Sequence, residues 1–383
     1  MDDNSLLFNI CAFTASLFLL QTGAVLFTVN TAIIARRFDI PETLIALLTK
    51  GAEWEELAVV VASILQQRPS LGLGNVVGSS ISNVMGAFAL GLLFNKSPIF
   101  DLSAKIYSGA LFAVSTIFML LAFTGLLNLA GGIFFLVGFG VYVVSICSAI
   151  YDGILAPTLE EAVVEEIGEL PLPTPSSSHQ ELHVSIYPSV LQCHPTESSP
   201  LLPAYSPHTI PEGLPRSTRT AYNILLVFVG ITALLIAAYA LTQSAASLAS
   251  LFHISNTLIG VTLLSVATNL PEKIIAIVNS WQNHTTVMTA TTAGSNMFLL
   301  TLCIGLVLVG GSHGDAGTDF RDPLGPGMGL LTDNLVAFEV WTVWTCSILL
   351  IVVTWTGGRR WLRGLLFGLY IAFTGVELTL FKR

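Results

Sequence analysis

Two glutamates lie inside apolar segments of the sequence, where a charged side chain is costly. Glu56 falls in the segment KGAEWEELAVVV, and Glu272 falls in SVATNLPEKIIAIV. A charge at the centre of a membrane helix costs on the order of 3 kcal/mol, so such a carboxylate usually faces a partner, water or a bound cation. A structural ion pair with Lys50 or Lys273 is the alternative. Carboxylates are hard oxygen ligands, which makes both glutamates candidate ligands of a cation.

The two glutamates occupy equivalent positions of an internal repeat. An offset of 216 takes Glu56 to Glu272 and pairs Gly78–Ser79 with Gly294–Ser295. Upstream, an offset of 214 pairs Ala35, Phe38, Ile40 and Thr43 with identical residues of the second copy: Ala249, Phe252, Ile254 and Thr257. Self-similarity at a fixed offset marks a duplicated structural unit. Equivalent carboxylates in two copies predict one shared site.

Two further segments have polar oxygens among small residues. They read GNVVGSSISNVMGAFALG over 74–91 and TTAGSNMFLLTLCIGL over 291–306. Small residues at this spacing are also common packing seams between membrane helices, and packing is the alternative function. Pro271 removes a backbone donor just before Glu272, so we expect a broken helix with freed carbonyl oxygens. Carboxylate, hydroxyl, amide and carbonyl oxygens together are the ligands of Ca²⁺.

Apolar helices must position these residues. The 383-residue chain is 53% hydrophobic and 10% charged with a mean hydropathy of +0.76, which is too apolar for an ordinary soluble protein. Apolar runs of membrane-spanning length predict ten spans. Their ranges are 7–34, 41–65, 71–94, 106–125, 129–151, 221–243, 254–280, 285–310, 335–356 and 361–380. The predicted fold class is therefore an all-α membrane protein with ten transmembrane helices.

The ten spans form two halves. Residues 1–151 and 220–383 each hold five spans, and residues 152–219 form a linker rich in proline, serine and acids that is predicted to be disordered. Because five is odd, the two copies must lie inverted in the membrane, as in secondary transporters with a midplane site. Nine basic residues in the loops of one side against four on the other place the linker in the cytosol. The net charge of −9 suggests no nucleic-acid partner.

These motifs resemble the calcium/cation antiporter superfamily, which includes the sodium/calcium exchangers and whose paired repeats approximate GTSxPE followed by GNxxGSNxxN. ATNLPE over 267–272 and GSN over 294–296 are close matches. GNVVGSSISN over 74–83 is a good match, while GAEWEE over 51–56 is a loose one. The resemblance covers both repeats, about two thirds of the chain.

The resemblance implies a cation-binding residue set. Glu56 and Glu272 would bind calcium, with Thr268 and Asn269 supplying oxygens beside them. Further cation ligands would be Ser79, Asn83 and Ser295, and Glu53 adds a carboxylate where the family has serine. Two other departures are Lys273, which follows the second glutamate, and Leu299, which stands where an asparagine or aspartate is expected. The leucine removes an oxygen ligand and brings the sodium sites into question.

The implied activity is cation antiport and not enzyme catalysis. Calcium, or another divalent cation, would be exchanged for sodium ions or protons by alternating access, with no cofactor. The resemblance assigns the gating motion to the first and sixth spans. Clustered carboxylates in an apolar setting also hold protons, so proton coupling is as plausible as sodium coupling. The alternative is a non-transporting, cation-binding or scaffolding membrane protein with a degenerate site, suggested by Lys273 and Leu299.

The linker contains a match to a sorting signal. Glu197, Leu201 and Leu202 fit the acidic dileucine pattern that cytosolic adaptors bind, although such short matches also arise by chance. An adaptor partner would direct this multi-pass membrane protein to a vacuole or another endomembrane in preference to the plasma membrane.

Overall fold

The computed structural model describes residues 3–38, 40, 52–95, 98–151, 216–281, 285–311 and 337–380, and the regular elements in these ranges are helical. The first half contains α1 (Asp3–Arg37), α2 (Trp54–Leu65), α3 (Pro69–Ile81), α4 (Ala89–Phe94), α5 (Leu102–Phe123) and α6 (Leu129–Tyr151). The second half contains α7 (Arg216–Phe252), α8 (Asn256–Ile259), α9 (Ser265–Thr268), α10 (Leu270–Trp281), α11 (Thr285–Phe298), α12 (Ile304–Gly311), α13 (Ala337–Thr356) and α14 (Arg360–Leu380).

Three long helices are interrupted by π-helical stretches. Ser82–Phe88 joins α3 to α4, Gly260–Leu264 joins α8 to α9, and Leu299–Cys303 joins α11 to α12. The first and third stretches begin at nearly repeat-equivalent positions, because the repeat offset takes Asn83 to Leu299. Such local widening of an α-helix is frequent at functional sites.

Several helix ends follow from local sequence. The Asp101 carboxylate accepts a hydrogen bond of 2.8 Å from the backbone N–H of Ala104 at the start of α5, and the Ser255 hydroxyl accepts one of 3.1 Å from Leu258 at the start of α8. Pro69 is the first residue of α3, where its missing N–H costs nothing. Pro271 lies in the first turn of α10, so the predicted seventh span breaks at Asn269, as expected from its sequence.

Helices α1 and α7 are equivalent in the repeat and pack against each other antiparallel. A Cβ atom on Gly23 would lie 2.8 Å from the backbone N of Leu234, so the two backbones are in close contact at this glycine. At the other end, Arg37 of α1 donates a hydrogen bond of 2.7 Å to Thr220 at the start of α7. Opposite directions of equivalent helices agree with the inverted repeat that the odd span number predicts.

The all-α membrane fold class is confirmed. Seven described helical stretches are long and apolar enough to cross a membrane: 5–37, 69–94, 102–123, 220–252, 287–311, 337–356 and 360–379. They coincide with seven of the ten predicted spans. Helix α6 and the α8–α10 unit coincide with two more, and α2 covers the described part of the predicted span 41–65. This arrangement is consistent with ten helices in two inverted halves.

Two predictions fall largely outside the described residues. The linker prediction concerns residues 152–219, of which the structure describes only the start of α7 from Arg216. The dileucine match at Glu197, Leu201 and Leu202 lies entirely outside the described residues. Both remain predictions.

Candidate cation site

Helix α2 places two carboxyl groups inside the protein. Glu53 immediately precedes the helix, and Glu56 lies in its first turn. The Glu53 side chain is 6% exposed and the Glu56 side chain is fully buried. Trp54 lies between them in sequence, and its ring packs edge-on against Phe27 of α1 and Phe298 of α11, with centroid distances of 4.9 and 6.5 Å. Aromatic packing thus separates this end of α2 from the exterior.

The Glu53 carboxyl joins residues from both halves. Asn83 Nδ2, in the stretch after α3, donates a hydrogen bond of 3.3 Å to Glu53 Oε1. The side chains of Ser295 and Glu56 also lie within hydrogen-bonding range of the Glu53 carboxyl. A hydrogen bond between two carboxyl groups requires a proton on one of them. The Cys303 thiol of the π-helical stretch after α11 is within electrostatic range of both glutamates.

Asn269 makes the corresponding contact from the second half. It occupies the break between α9 and α10, where its Nδ2 donates to Ser79 Oγ at 2.8 Å and to the Ser265 carbonyl at 2.7 Å. The repeat offset that pairs Glu56 with Glu272 also takes Glu53 to Asn269 and Ser79 to Ser295. The contact of Asn269 with Ser79 is therefore the repeat-equivalent of the contact between Glu53 and Ser295.

Helix α3 connects the two contacts. Ser79 and Asn83 are four residues apart, about one helical turn, and so face the same side. Both are buried, at 0% and 3% exposure. Gly78 lets α3 approach the π-helical stretch after α8 closely, because its Cα lies against the Val261 carbonyl, where a side chain would clash. The predicted residues Glu53, Glu56, Ser79, Asn83, Asn269 and Ser295 therefore form one cluster.

Two amide oxygens in this cluster are buried acceptors. Asn83 and Asn269 direct their amide nitrogens to protein acceptors. Among the described residues, no group donates a hydrogen bond to Asn83 Oδ1 or Asn269 Oδ1. A buried carbonyl oxygen without a donor costs about 1–3 kcal/mol. A hard cation satisfies such an oxygen directly, so the cluster has the chemistry of a cation site.

Two predicted ligands differ from this pattern. Thr268 is buried, at 2% exposure, but its hydroxyl donates to the Leu264 carbonyl of its own helix at 3.2 Å. The hydroxyl oxygen still has a lone pair for a ligand. Glu272 belongs to α10, and its side chain lies outside the described residues. Its predicted position opposite Glu56 remains a prediction.

The Lys273 ammonium hydrogen-bonds carbonyl oxygens at the helix break. Its Nζ donates to the carbonyls of Val266 and Asn269, both at 3.4 Å, and lies 5.9 Å from the ring centroid of Tyr370. The side chain is 9% exposed, so the ammonium does not extend into water. The ammonium therefore bonds two carbonyl oxygens at the helix break, and the Asn269 carbonyl also accepts the backbone N–H of Lys273 at 3.3 Å.

Leu299 is the apolar counterpart of Asn83. It is fully buried, at 0% exposure, and begins the π-helical stretch after α11. Asn83 hydrogen-bonds Glu53 in the first half, whereas a leucine has no group with which to bind Asn269. Position 299 in the second half therefore offers no oxygen where Asn83 in the first half offers one. The two halves of the cluster differ in polarity at these equivalent positions.

Sequence interpretation missed some buried acids. Glu55 is 8% exposed and interacts electrostatically with Glu56 and Glu53. Glu339 of α13 and Glu377 of α14 are 1% and 0% exposed. Glu339 and Glu377 are each a carboxylate in an apolar run, which is the signal that identified Glu56, whereas Glu55 lies beside Glu56 in the sequence. They were missed because they have no equivalent acid in the other half.

In the described part of the chain, which omits the Glu272 side chain, no three His, Cys, Asp or Glu residues form a metal-binding group.

Both halves of the chain match a known protein family. The profile of the family described as "Sodium/calcium exchanger protein" matches residues 8–147 and 222–378. The "Putative antiporter CaxA" of Alkalimonas amylolytica is 24% identical over 299 residues, which is 77% of this chain and 79% of the relative. The matched ranges of the family profile leave out the predicted linker and coincide with the two predicted halves.

Solved structures of the sodium-calcium exchanger NCX_Mj share this fold. The structure soaked with 10 mM Na⁺ and zero Ca²⁺ superposes with a TM-score of 0.52 at 16% identity, covering 96% of this chain and 98% of that chain. The structure soaked with 2.5 mM Na⁺ and 1 mM Sr²⁺ has a TM-score of 0.54 at 16% identity and covers 96% and 97%. At this identity the likeness establishes the architecture alone.

Proposed function

The chain belongs to the sodium/calcium exchanger protein family, and from this membership we propose that it exchanges calcium, or a similar divalent cation, for sodium ions or protons by alternating access. Cation antiport follows from the family. The choice of calcium rests on the hard oxygen ligands of the cluster, since Ca²⁺ takes roughly six to eight oxygens from carboxylates, amides, carbonyls and water.

The observation that supports this proposal most directly is the pair of amide oxygens on Asn83 and Asn269. Both are buried, both lack a hydrogen-bond donor in the described part of the chain, and they come from opposite halves. The carboxyls of Glu53 and Glu56 lie in the same cluster. With Glu272 from the second half, the proposed site holds three carboxyl groups and two amide oxygens. Two carboxylate charges balance a divalent cation, and a third balances a proton or a monovalent ion.

Protons are the counter-ion that the cluster favours. The carboxyls of Glu53 and Glu56 lie within hydrogen-bonding range of each other, so they would share a proton that an arriving calcium ion displaces. Leu299 gives the second half one oxygen fewer for a sodium ion. Calcium binding and proton release at one pair of carboxyls would couple the two ions, since the pair holds either the shared proton or the divalent cation.

We assign the moving part to α1 and α7. These two helices pack together in an antiparallel pair at Gly23 and Gly230, and the residues of the cluster belong to other segments, in or next to α2, α3, α9 and α11. A pair of helices that moves as one body past a fixed site would expose the site to each side in turn. This motion is the alternating access that exchange requires.

Flux through reconstituted vesicles tests the proposal. Purified protein in liposomes is supplied with radioactive calcium under an imposed pH gradient, an imposed sodium gradient, both or neither. We expect calcium uptake that follows the outward proton gradient and is abolished by a protonophore. Equal calcium contents in vesicles with and without the protein, under every gradient, would refute exchange of this ion.

A non-transporting cation-binding protein is the second candidate. It is favoured by Lys273, whose ammonium takes carbonyl oxygens at the helix break and supplies a positive charge near the cluster. Calcium binding measured by calorimetry, with no flux under any gradient, would identify this second function.

The membrane that holds the protein is a further proposal. We propose an endomembrane such as the vacuole, selected by adaptor binding at the dileucine match of the linker.

A further inference from the structure

A buried polar pocket is lined by residues other than those of the candidate cation site. It has a volume of about 10 Å³ and lies between α3, α5, α11 and α13. Its polar lining comes from Ser80, Ser115, Asn296 and Ser347. None of these residues belongs to the candidate site, and the proposed exchange does not use them.

Two polar atoms of this pocket have no hydrogen-bond partner among the described residues. Ser80 and Asn296 are 2% and 1% exposed, and no described group hydrogen-bonds Ser80 Oγ or Asn296 Oδ1. The amide nitrogen of Asn296 is satisfied, since it donates to the Thr292 carbonyl at 2.8 Å. Inside a membrane protein, a buried polar atom without a hydrogen bond costs several kcal/mol. A hydroxyl and a carbonyl oxygen that line one cavity therefore point to a small polar ligand between them.

Size and charge identify the ligand. A cavity of about 10 Å³ is at the lower limit for one water molecule, which needs two to four polar partners. Ser80, Asn296 and the hydroxyl pair of Ser115 and Ser347, which are 2.7 Å apart, supply that number. Among the described residues that line the cavity, none carries a charge, so a bare sodium ion would lack a counter-charge. We propose that this pocket holds one structural water molecule bonded to Ser80 Oγ and Asn296 Oδ1.

The position of the pocket relates it to the internal repeat. The same repeat offset takes Ser80 to Asn296, so equivalent residues of the two halves meet at one cavity. Each directly follows a candidate cation ligand, Ser79 or Ser295. The water would thus link α3 to α11 through residues adjacent to the candidate ligands, and fix how the two ligand-bearing helices are rotated.

A double-mutant cycle tests the water bridge. Ser80→Ala and Asn296→Leu each remove one partner and leave the other buried polar atom unsatisfied, whereas the double variant removes both atoms. We expect each single variant of the full-length protein to unfold at a lower temperature than the native protein. The decrease in the double variant should be well below the sum of the two single decreases. The control pair is Ser244→Ala with Asn296→Leu, which should be additive, because the Ser244 hydroxyl bonds its own helix carbonyl at Ala240.

Direct observation in the unsubstituted protein provides a second test that does not depend on folding of a variant. An experimental map that resolves other buried waters should show one peak within hydrogen-bonding distance of Ser80 Oγ and Asn296 Oδ1. Additive shifts in the cycle would overturn the proposal, and so would an empty cavity in such a map. A peak that changes when sodium is replaced by potassium would identify a monovalent ion and also overturn it. Neither test requires transport, so failure of the proposed exchange leaves this inference unaffected.

Discussion

The Asn269 amide donates a hydrogen bond of 2.8 Å to the Ser79 hydroxyl, and this contact is the repeat-equivalent of the one between Glu53 and Ser295. The two contacts cross between the halves in opposite directions. One has an acid and the other has an amide at equivalent positions. The candidate site is therefore symmetric in its backbone plan and asymmetric in its charge, with the acidic side formed by the first half.

Replacement of Asn269 by leucine should weaken calcium binding with little effect on folding. The change removes a buried carbonyl oxygen and the donor to Ser79 while it keeps the side-chain volume. Loss of one such ligand is expected to cost about 1.4 kcal/mol, which is a tenfold increase in the calcium concentration for half-maximal uptake. Uptake into vesicles over a range of calcium concentrations measures this change.

Asn30→Leu is the matched control, because Asn30 is a buried amide of α1 that bonds the Leu26 carbonyl of its own helix at 2.7 Å. The control should retain the native calcium dependence. An unchanged half-maximal concentration in the Asn269→Leu protein would contradict a ligand role for Asn269.

Replacement of Glu272 by glutamine should abolish calcium exchange. The amide keeps the shape of the carboxylate but removes the negative charge that a divalent cation requires. Changes in groups that only support a metal ligand cost about 10–100-fold in affinity, so loss of a direct carboxylate ligand should reduce flux by more than that. Flux and monodisperse elution from detergent are measured on the same preparation.

Asp101→Asn is the control for the Glu272 variant. Asp101 caps α5 away from the cluster, and asparagine is an equally good N-cap. Native flux is therefore expected from the control. Normal exchange by a well-folded Glu272→Gln protein would remove Glu272 from the proposed site and leave Glu53 and Glu56 as its only carboxyls among the predicted ligands.

The helical plan was accessible from sequence for a physical reason. Within a bilayer every backbone polar group must be satisfied inside the segment, so long apolar runs predict helices directly. The repeat offset then paired Glu56 with Glu272 and Ser79 with Ser295. The same offset pairs Glu53 with Asn269, and the structure shows that these two residues make equivalent contacts.

Other features of the site depend on details that periodicity does not encode. Asn83 reaches Glu53 within a π-helical stretch, and no spacing rule in the sequence predicts that stretch. The Lys273 ammonium lies over the ring of Tyr370 of α14, far away in the chain. A Cβ on Gly86 would lie 3.2 Å from the Lys273 Cε atom, so a glycine in yet another helix makes room for the ammonium. Such tertiary contacts override what a local pattern predicts.

Replacement of Lys273 by methionine distinguishes an exchanger from a degenerate site. Methionine keeps the length of the stem but leaves the carbonyls of Val266 and Asn269 without the ammonium. If the native protein is an exchanger, the variant should lose stability, by about 1–3 kcal/mol, and retain calcium binding. Lys273→Arg keeps the charge and should lose less. Calcium binding that appears only in the methionine variant would instead show that the native ammonium blocks the site.

Replacement of Leu299 by aspartate should increase the dependence of calcium flux on sodium. Leu299 lies four residues after Ser295, one helical turn away and on the same face. Ser295 lies within hydrogen-bonding range of Glu53, and Cys303, four residues further on, is within electrostatic range of both Glu53 and Glu56. The face that contains Leu299 is therefore turned to the carboxyl groups, and an aspartate there offers a hard oxygen to a monovalent cation.

In the native protein we accordingly expect calcium flux to respond more to a pH gradient than to a sodium gradient. In the Leu299→Asp variant the response to sodium should rise by about tenfold if the new ligand contributes about 1.4 kcal/mol to sodium binding. Leu299→Met keeps the volume without adding oxygen, so it should behave as the native protein does. The measurement is calcium uptake into vesicles at fixed calcium, with the sodium and pH gradients varied separately. A native flux that requires sodium and ignores pH would show that the chain binds its counter-ion without an oxygen at position 299, and the inference from this leucine to proton coupling would be wrong.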